Sequence, residues 1–232
     1  MCGRYVTPAE RDMERYWEIK RPGNPFAGVP GQFELVNYNV FPTAPIPVIR
    51  AGADGALEML PMRWGLVPAF ARGVAGKYHT HNARIENFKS APAYRNAWKH
   101  NQRCLVPALG FYEWKEVGGP RKQPYYVHSG DQEIFSFAAL WDRSTSEDGT
   151  VVQSCTIITM PANRAMLPIH TRMPAMLLRE HEQAWLSGTP EEAEACLVPY
   201  PDELTIAYPV AARVNAPANN DAGLVARAEV GE

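Results

Sequence analysis

The sequence predicts an α+β fold, a single domain built on a mainly antiparallel, barrel-like β-sheet with short flanking helices. Three observations predict it. Segments rich in Val, Ile, Phe, Tyr and Thr outnumber segments with helical starts. Neighbouring strand-like segments follow one another as hairpin partners do. The 17 glycines and 21 prolines are scattered along the chain as punctuation, which divides it into many short elements.

Taken in order, Thr7-Pro8-Ala9-Glu10 is a helix start. Thr7 is the expected cap, Pro8 suits the first helical position, and Glu10 can reach back to the cap amide. That helix is expected to run to about Ile19. Pro22, Pro25, Pro30, Pro42 and Pro45 make 20–45 a loop-like stretch. Pro47–Arg50 and Leu57–Trp64 are expected to pair across Gly52–Gly55, with Asp54-Gly55 as the turn. Residues 91–101 read as a helix. Arg103–Trp114, Tyr125–His128, Glu133–Trp141 and Val151–Met160 read as strands. Thr189-Pro190-Glu191-Glu192 repeats the helix-start logic, and Leu204–Pro209 is the last clear strand. The domain is expected to span 2–215, with 216–232 a polar, flexible tail.

Composition narrows the function. The chain has 232 residues, 46% hydrophobic and 21% charged, which excludes global disorder. A domain of this size buries roughly 70% of its unfolded surface and needs no metal or disulfide staple. A net charge of -2 excludes a globally basic nucleic-acid binder. The charge is nevertheless segregated: residues 60–122 carry +8 and the remainder -10. Trp64, Phe70, Tyr78, Tyr94 and Trp98 interleave with these cations, Tyr94 and Trp98 being expected core rings. Basic charge with interleaved aromatics favours a polyanion partner over a merely solvated face, because a base stacked on an exposed ring contributes roughly 1–3 kcal/mol. Of the four cysteines, none forms a C-x-x-C pair, and no His cluster has zinc spacing. Neither a metal nor a cofactor is expected. Cys104, Cys155 and Cys196 read as buried small hydrophobes. With no signal-like opening and no membrane-length apolar run, the expectation is a soluble, cytoplasmic protein in a reducing compartment.

The first residues carry the most chemistry. In Met1-Cys2-Gly3-Arg4-Tyr5 the small second residue permits removal of Met1. Cys2 would then hold an amine of pKa roughly 7.7–8.0 and a thiol of roughly 8.5 on adjacent carbons. Such an aminothiol captures an aldehyde: the amine forms an imine and the thiol closes a thiazolidine ring. No internal cysteine can do this. Taken alone, Cys2 reads more readily as an accidental residue at a frayed end.

Other motifs accompany it. Tyr38-Asn39-Val40, Arg63-Trp64-Gly65-Leu66-Val67-Pro68, Asn82-Ala83-Arg84, Gly110-Phe111-Tyr112-Glu113-Trp114 and His170-Thr171-Arg172-Met173-Pro174 follow Cys2-Gly3-Arg4-Tyr5 in order. With these motifs the chain resembles the SRAP (SOS response-associated peptidase) family of abasic-site processing proteins, from residue 2 to about 215. The resemblance implies binding to single-stranded DNA, or single-strand/double-strand junctions, and a covalent link between the N-terminal cysteine and the aldehyde of an abasic site. It implies that Cys2 is the nucleophile and that Asn82 positions it. Glu113 would move protons during imine formation and ring closure, and His170 would assist sugar opening and reversal of the adduct. Arg4, Arg84 and Arg172 would hold phosphates, with Trp64 and Phe70 against the bases. Phe70 stands where some members carry paired tryptophans. The residue types suit these roles. A carboxyl can deliver a proton to a departing hydroxyl, an imidazole can shuttle one, and Arg forks match phosphate geometry.

Lyase action by β-elimination from the imine, and self-processing that exposes Cys2, follow from the same chemistry. The expected working form is a monomer, nucleoid-associated when bound to DNA. Two other readings remain at this point. Met-Cys-Gly also opens N-terminal-nucleophile amidohydrolases, which leave the Asn-Ala-Arg and Phe-Tyr-Glu-Trp motifs without a role. A non-catalytic reader of single-stranded or modified DNA would need the basic aromatic face but no free Cys2.

Overall fold

A computed structural model describes residues 2–19, 25–29, 33–73 and 79–228. Its strands are β1 Tyr5–Thr7, β2 Asn37–Val40, β3 Pro45–Ala51, β4 Leu57–Trp64, β5 Asn82–Arg84, β6 Arg103–Ala108 and β7 Gly110–Glu116. They continue with β8 Lys122–Ser129, β9 Phe135–Thr145, β10 Val151–Pro161, β11 Arg172–Pro174, β12 Met176–Leu177 and β13 Thr205–Pro209. The helices are short: α1 Glu10–Tyr16, α2 Arg95–Lys99, α3 Glu182–Ser187 and α4 Pro190–Ala195.

Five strands close on themselves. β3 pairs with β4 and β6, β6 with β9, β9 with β10, and β10 returns to β4. All these pairings are antiparallel except β10 with β4, where Cys155 lies opposite Trp64. The result is a mixed five-stranded barrel, the barrel-like α+β architecture the sequence predicts. Closure removes free strand edges. β6 is buried along its whole length and β9 along its first six residues, so both read as continuous apolar runs instead of alternating ones.

A second sheet has the order β13-β8-β7-β1-β2. It explains why Arg103–Trp114, expected as one strand, is two. At Leu109 the chain leaves the barrel, and the Leu109 amide donates to the Val6 carbonyl (2.9 Å). Gly110 follows because a Cβ there would lie 2.3 Å from the Tyr126 ring. This crossing carries Glu113 from the core to the strand beside the N-terminus.

Other expectations are corrected in detail. Thr7 ends β1 and does not cap α1; the cap position is Ala9, with no side-chain bond. The helix ends at Tyr16, where Glu18 adopts φ 53° and the Ile19 amide donates back to the Glu14 carbonyl (2.9 Å). That is a left-handed stop of the Schellman type. The loop-like stretch contains β2 and the start of β3; residues 20–24 and 30–32 lie outside the described set. The helix expected over 91–101 is confined to α2. Thr189 and Glu192 do form a reciprocal capping box on α4. Within the expected tail, residues 216–228 return to the sheet, and 229–232 lie outside the described residues. Leu224 is fully buried, and Val210 bridges to Arg227.

Candidate functional site

The N-terminal segment brings Cys2 to Glu113. β1 runs antiparallel to β7 with Tyr5 opposite Phe111 and Val6 opposite Gly110. The Tyr112 amide donates to the Arg4 carbonyl (2.9 Å). Continuing that register places Gly3 across from Glu113. Cys2 is fully buried and Glu113 is 3% exposed. Burial, and then the nearby Glu113 charge, push the Cys2 thiol well above its ordinary pKa. The thiol is therefore held protonated.

Asn82 closes the other side. It opens β5, which lies parallel to β10 with Asn82 opposite Ile157 and Arg84 opposite Thr159. The Asn82 Nδ2 donates to the Cys2 carbonyl at 2.7 Å. The Asn82 carbonyl accepts from the Tyr94 hydroxyl (3.1 Å), which fixes the strand behind it. Its Oδ1 is buried and has no hydrogen-bond partner among the described residues. The same segment is supported by Trp64, whose Nε1 donates to the His81 carbonyl (2.9 Å). Burial, and then His79, lower the His81 pKa, so this ring beside the site is neutral near pH 7.

His170 lies across a cleft from the end of β7. The cleft is lined by Trp114, Lys115, Glu116, Lys122 and the 167–171 turn. The Arg172 amide donates to His170 Nδ1 (3.0 Å), and the Arg172 carbonyl lies 3.1 Å from the same nitrogen. A bare Nδ1 accepts from the Arg172 amide, whereas an Nδ1 that carries a proton donates to the Arg172 carbonyl.

The structure thus gathers Cys2, Asn82 and Glu113 and sets His170 beside the residue that follows Glu113. The expected DNA contacts divide. Arg84 is exposed, and its side chain, unlike its carbonyl, makes no hydrogen bond or ion pair among the described residues. Phe70 is 61% exposed on the Ala69–Ala71 turn. Arg172 is engaged: its two terminal nitrogens grip Glu86 (2.6 and 3.0 Å) and one donates to the Thr159 carbonyl (2.7 Å). Arg4 donates through Nη1 to Asn39 Oδ1 (2.7 Å) and to the Val214 carbonyl (3.0 Å). Trp64 is corrected: it is fully buried, edge-on to Tyr5 at 5.4 Å, and no base can reach its face. It is a core residue.

The basic window is also less bare than its sequence suggests. Arg72 pairs with Glu147 and Lys89 with Glu194, acids from outside the window. Arg103 is buried, donating to the carbonyls of Trp185 and Gly188. Tyr94 is a core ring as expected, Trp98 is half-buried against Phe88, and Tyr78 lies outside the described residues. All four cysteines are free and buried. Among the described residues no group of His, Cys, Asp and Glu could hold a metal, and no helix is long and apolar enough to cross a membrane. Sequence reasoning missed the part played by Asn39, although Tyr38-Asn39-Val40 was among the motifs.

Residues 1–217 match the family model for SOS response associated peptidase (SRAP). Among curated proteins, abasic site processing protein YoaM of Bacillus subtilis is 36% identical over 193 residues, 82% of this chain and 84% of that one. YoqW of the same organism is 34% identical over 97% of this chain and 99% of its own. HMCES of Xenopus tropicalis is 30% identical over 79% of this chain and 64% of its own. A crystal structure of a protein from Bacteroides thetaiotaomicron superposes with a TM-score of 0.82 at 27% identity, covering 98% of this chain and all of that one. The motif order, the closed barrel and these matches lead to one assignment: the chain belongs to the SOS response-associated peptidase (SRAP) family.

Proposed function

We propose that this chain processes abasic sites in single-stranded DNA by capturing them on Cys2 after Met1 has been removed. The observation that carries the reading is the 2.7 Å bond from Asn82 to the Cys2 carbonyl, made beside Glu113. A terminal residue is ordinarily free to fray. Here a buried side chain from a distant strand holds its backbone in place.

Cleavage of the Met1–Cys2 bond frees the Cys2 amine and takes away the group bonded to it. The amine attacks the C1 aldehyde of the ring-opened sugar and gives a carbinolamine. Glu113 takes the two amine protons in turn and passes them to the former carbonyl oxygen, which leaves as water as the imine forms. The thiol then adds to the imine carbon. Its proton passes to the former imine nitrogen, and the thiazolidine closes with net loss of one water. A protonated thiol suits this order, because the amine acts first and the sulfur is spent only on ring closure. His170 serves sugar opening and reversal of the adduct. Arg84 takes a flanking phosphate and Phe70 stacks on a base. Arg4 contributes with the nitrogens that its protein partners leave over, whereas Arg172 reaches a phosphate only by giving up its bonds to Glu86. Junctions between single and double strands are bound by the same face, and the adduct shields the abasic site from strand cleavage. Lyase action follows if β-elimination from the imine outruns ring closure. The peptidase activity in the family name is read as self-processing that uncovers Cys2.

Intact mass spectrometry before and after incubation with an abasic single-stranded oligonucleotide tests the proposal. The expected protein lacks Met1, and the product has the summed mass of protein and DNA less one water. Cys2→Ala should yield no product stable to denaturation. Full crosslinking by Cys2→Ala refutes the reading.

A further inference from the structure

Asn39 is 3% exposed, yet it is one of the most heavily bonded side chains in the molecule. Its Oδ1 accepts from Arg4 Nη1 at 2.7 Å. Its Nδ2 donates to the carbonyls of Asn219 (2.8 Å) and Ala216 (3.1 Å), with a longer contact to that of Val214 (3.4 Å). The same Arg4 nitrogen donates to the Val214 carbonyl (3.0 Å). One side chain thus joins the Cys2–Arg4 segment that leads into β1 to residues more than 170 positions further along the chain.

That segment also grips the strand of Glu113. Trp114 Nε1 donates to Asn215 Oδ1 (2.9 Å). The Tyr38 amide donates to Asn220 Oδ1 (2.7 Å), and the Tyr112 hydroxyl donates to the Tyr38 carbonyl (2.9 Å). Bonds therefore run from residues 214–220 to Arg4 just ahead of β1, to β2 and to β7. Pairing between β1 and β7 is short: Tyr5 lies opposite Phe111 and Val6 opposite Gly110, and ahead of them the Tyr112 amide donates to the Arg4 carbonyl. So short a ladder is weak against slippage of its end.

We propose that Asn39 is a positioning residue: with residues 214–219 it clamps the leading strand against β7 and so sets the place of Cys2 relative to Glu113. Arg4 accordingly serves the clamp first and DNA second. Asn39 touches no reacting atom and acts through Arg4. The consequence for chemistry, though not the clamp itself, rests on the Cys2-capture reading.

The first test needs no DNA. Native alkylation of Cys2 by iodoacetamide is followed by peptide mass spectrometry in the unsubstituted chain, in Asn39→Leu and in Trp114→Phe. Cys155, fully buried in the barrel, is the internal reference. Loss of the clamp should raise Cys2 alkylation about tenfold or more in Asn39→Leu, and by a smaller factor in Trp114→Phe, because local opening follows the bonds lost. Cys155 should be unchanged. A parallel rise at both cysteines marks general destabilisation and overturns the inference, as does an unchanged Cys2. If Asn39→Leu does not fold, Trp114→Phe decides by the same criterion. The second test measures single-turnover adduct formation at saturating abasic DNA, with affinity for the same oligonucleotide bearing intact bases. The rate in Asn39→Leu should fall about tenfold or more while affinity stays within about twofold. Equal losses in both overturn the positioning role. Failure of the unsubstituted chain to crosslink refutes the capture reading instead, and the alkylation result still judges the clamp.

Discussion

Replacing Asn82 by Ala removes the donor that holds the Cys2 carbonyl at 2.7 Å and leaves a buried acceptor without its partner. Such a loss costs about 1–3 kcal/mol. Felt wholly in the reacting geometry, it slows capture by about 5- to 150-fold. Felt wholly as stability, it lowers the melting temperature by about 2–4 °C per kcal/mol and leaves the rate alone. The other structural bond of this residue, from the Tyr94 hydroxyl, goes to the backbone and survives the substitution. The rate is therefore expected to fall more than the fold suffers. Single-turnover capture of a saturating abasic oligonucleotide, quenched onto a denaturing gel, reads the rate, and a thermal melt reads the stability. Asn82→Asp extends the test by setting a carboxylate acceptor against the carbonyl acceptor, and it should be slower still. A folded Asn82→Ala that captures DNA within about twofold of the unsubstituted rate refutes the reasoning, because the bond would then only secure β5.

Phe70 and Trp64 should behave as opposites. Phe70→Ala, at an exposed ring, should cost about 1–3 kcal/mol in DNA affinity with no change in melting temperature. Trp64→Ala, at a fully buried ring, should cost about 3–5 kcal/mol of stability. Equilibrium binding and denaturant melts separate the two. Glu113→Gln removes a charge that raises the Cys2 thiol, so alkylation of Cys2 should begin at lower pH than in the unsubstituted chain; a rate–pH profile unmoved by the substitution contradicts the contact. Burial likewise raises the thiols of Cys104 and Cys155. The protonated form is the one the fold favours, so stability should hold below the unfolded thiol pKa of about 8.5 and decline as pH rises above it. Denaturant midpoints across that range check the slope.

The sequence by itself determined the family and the fold class, and it suggested the chemistry we propose. Only a leading Cys2 can combine amine and thiol, and the ordered motifs around Asn82, Glu113 and His170 identified the family because residue type and order are one-dimensional properties. The capping box at Thr189 and the hairpin at Asp54-Gly55 were legible for the same reason: both are local, and Asp54 Oδ1 accepts from the amide two residues on. Burial and partnership are not local. Trp64 and Phe70 stand six residues apart in one basic, aromatic stretch, and nothing in that stretch says which ring faces water. The barrel decides it, by seating Trp64 beside Tyr5 and leaving Phe70 on a turn. Arg4 and Arg172 have the composition of phosphate clamps, but tertiary packing brings Asn39 and Glu86 within reach and commits part of each guanidinium to the protein. The break at Leu109 was hidden because both halves of the run are apolar. Only the presence of two separate sheets, each demanding its own backbone hydrogen bonds, turns one apparent strand into two and delivers Glu113 to the N-terminus.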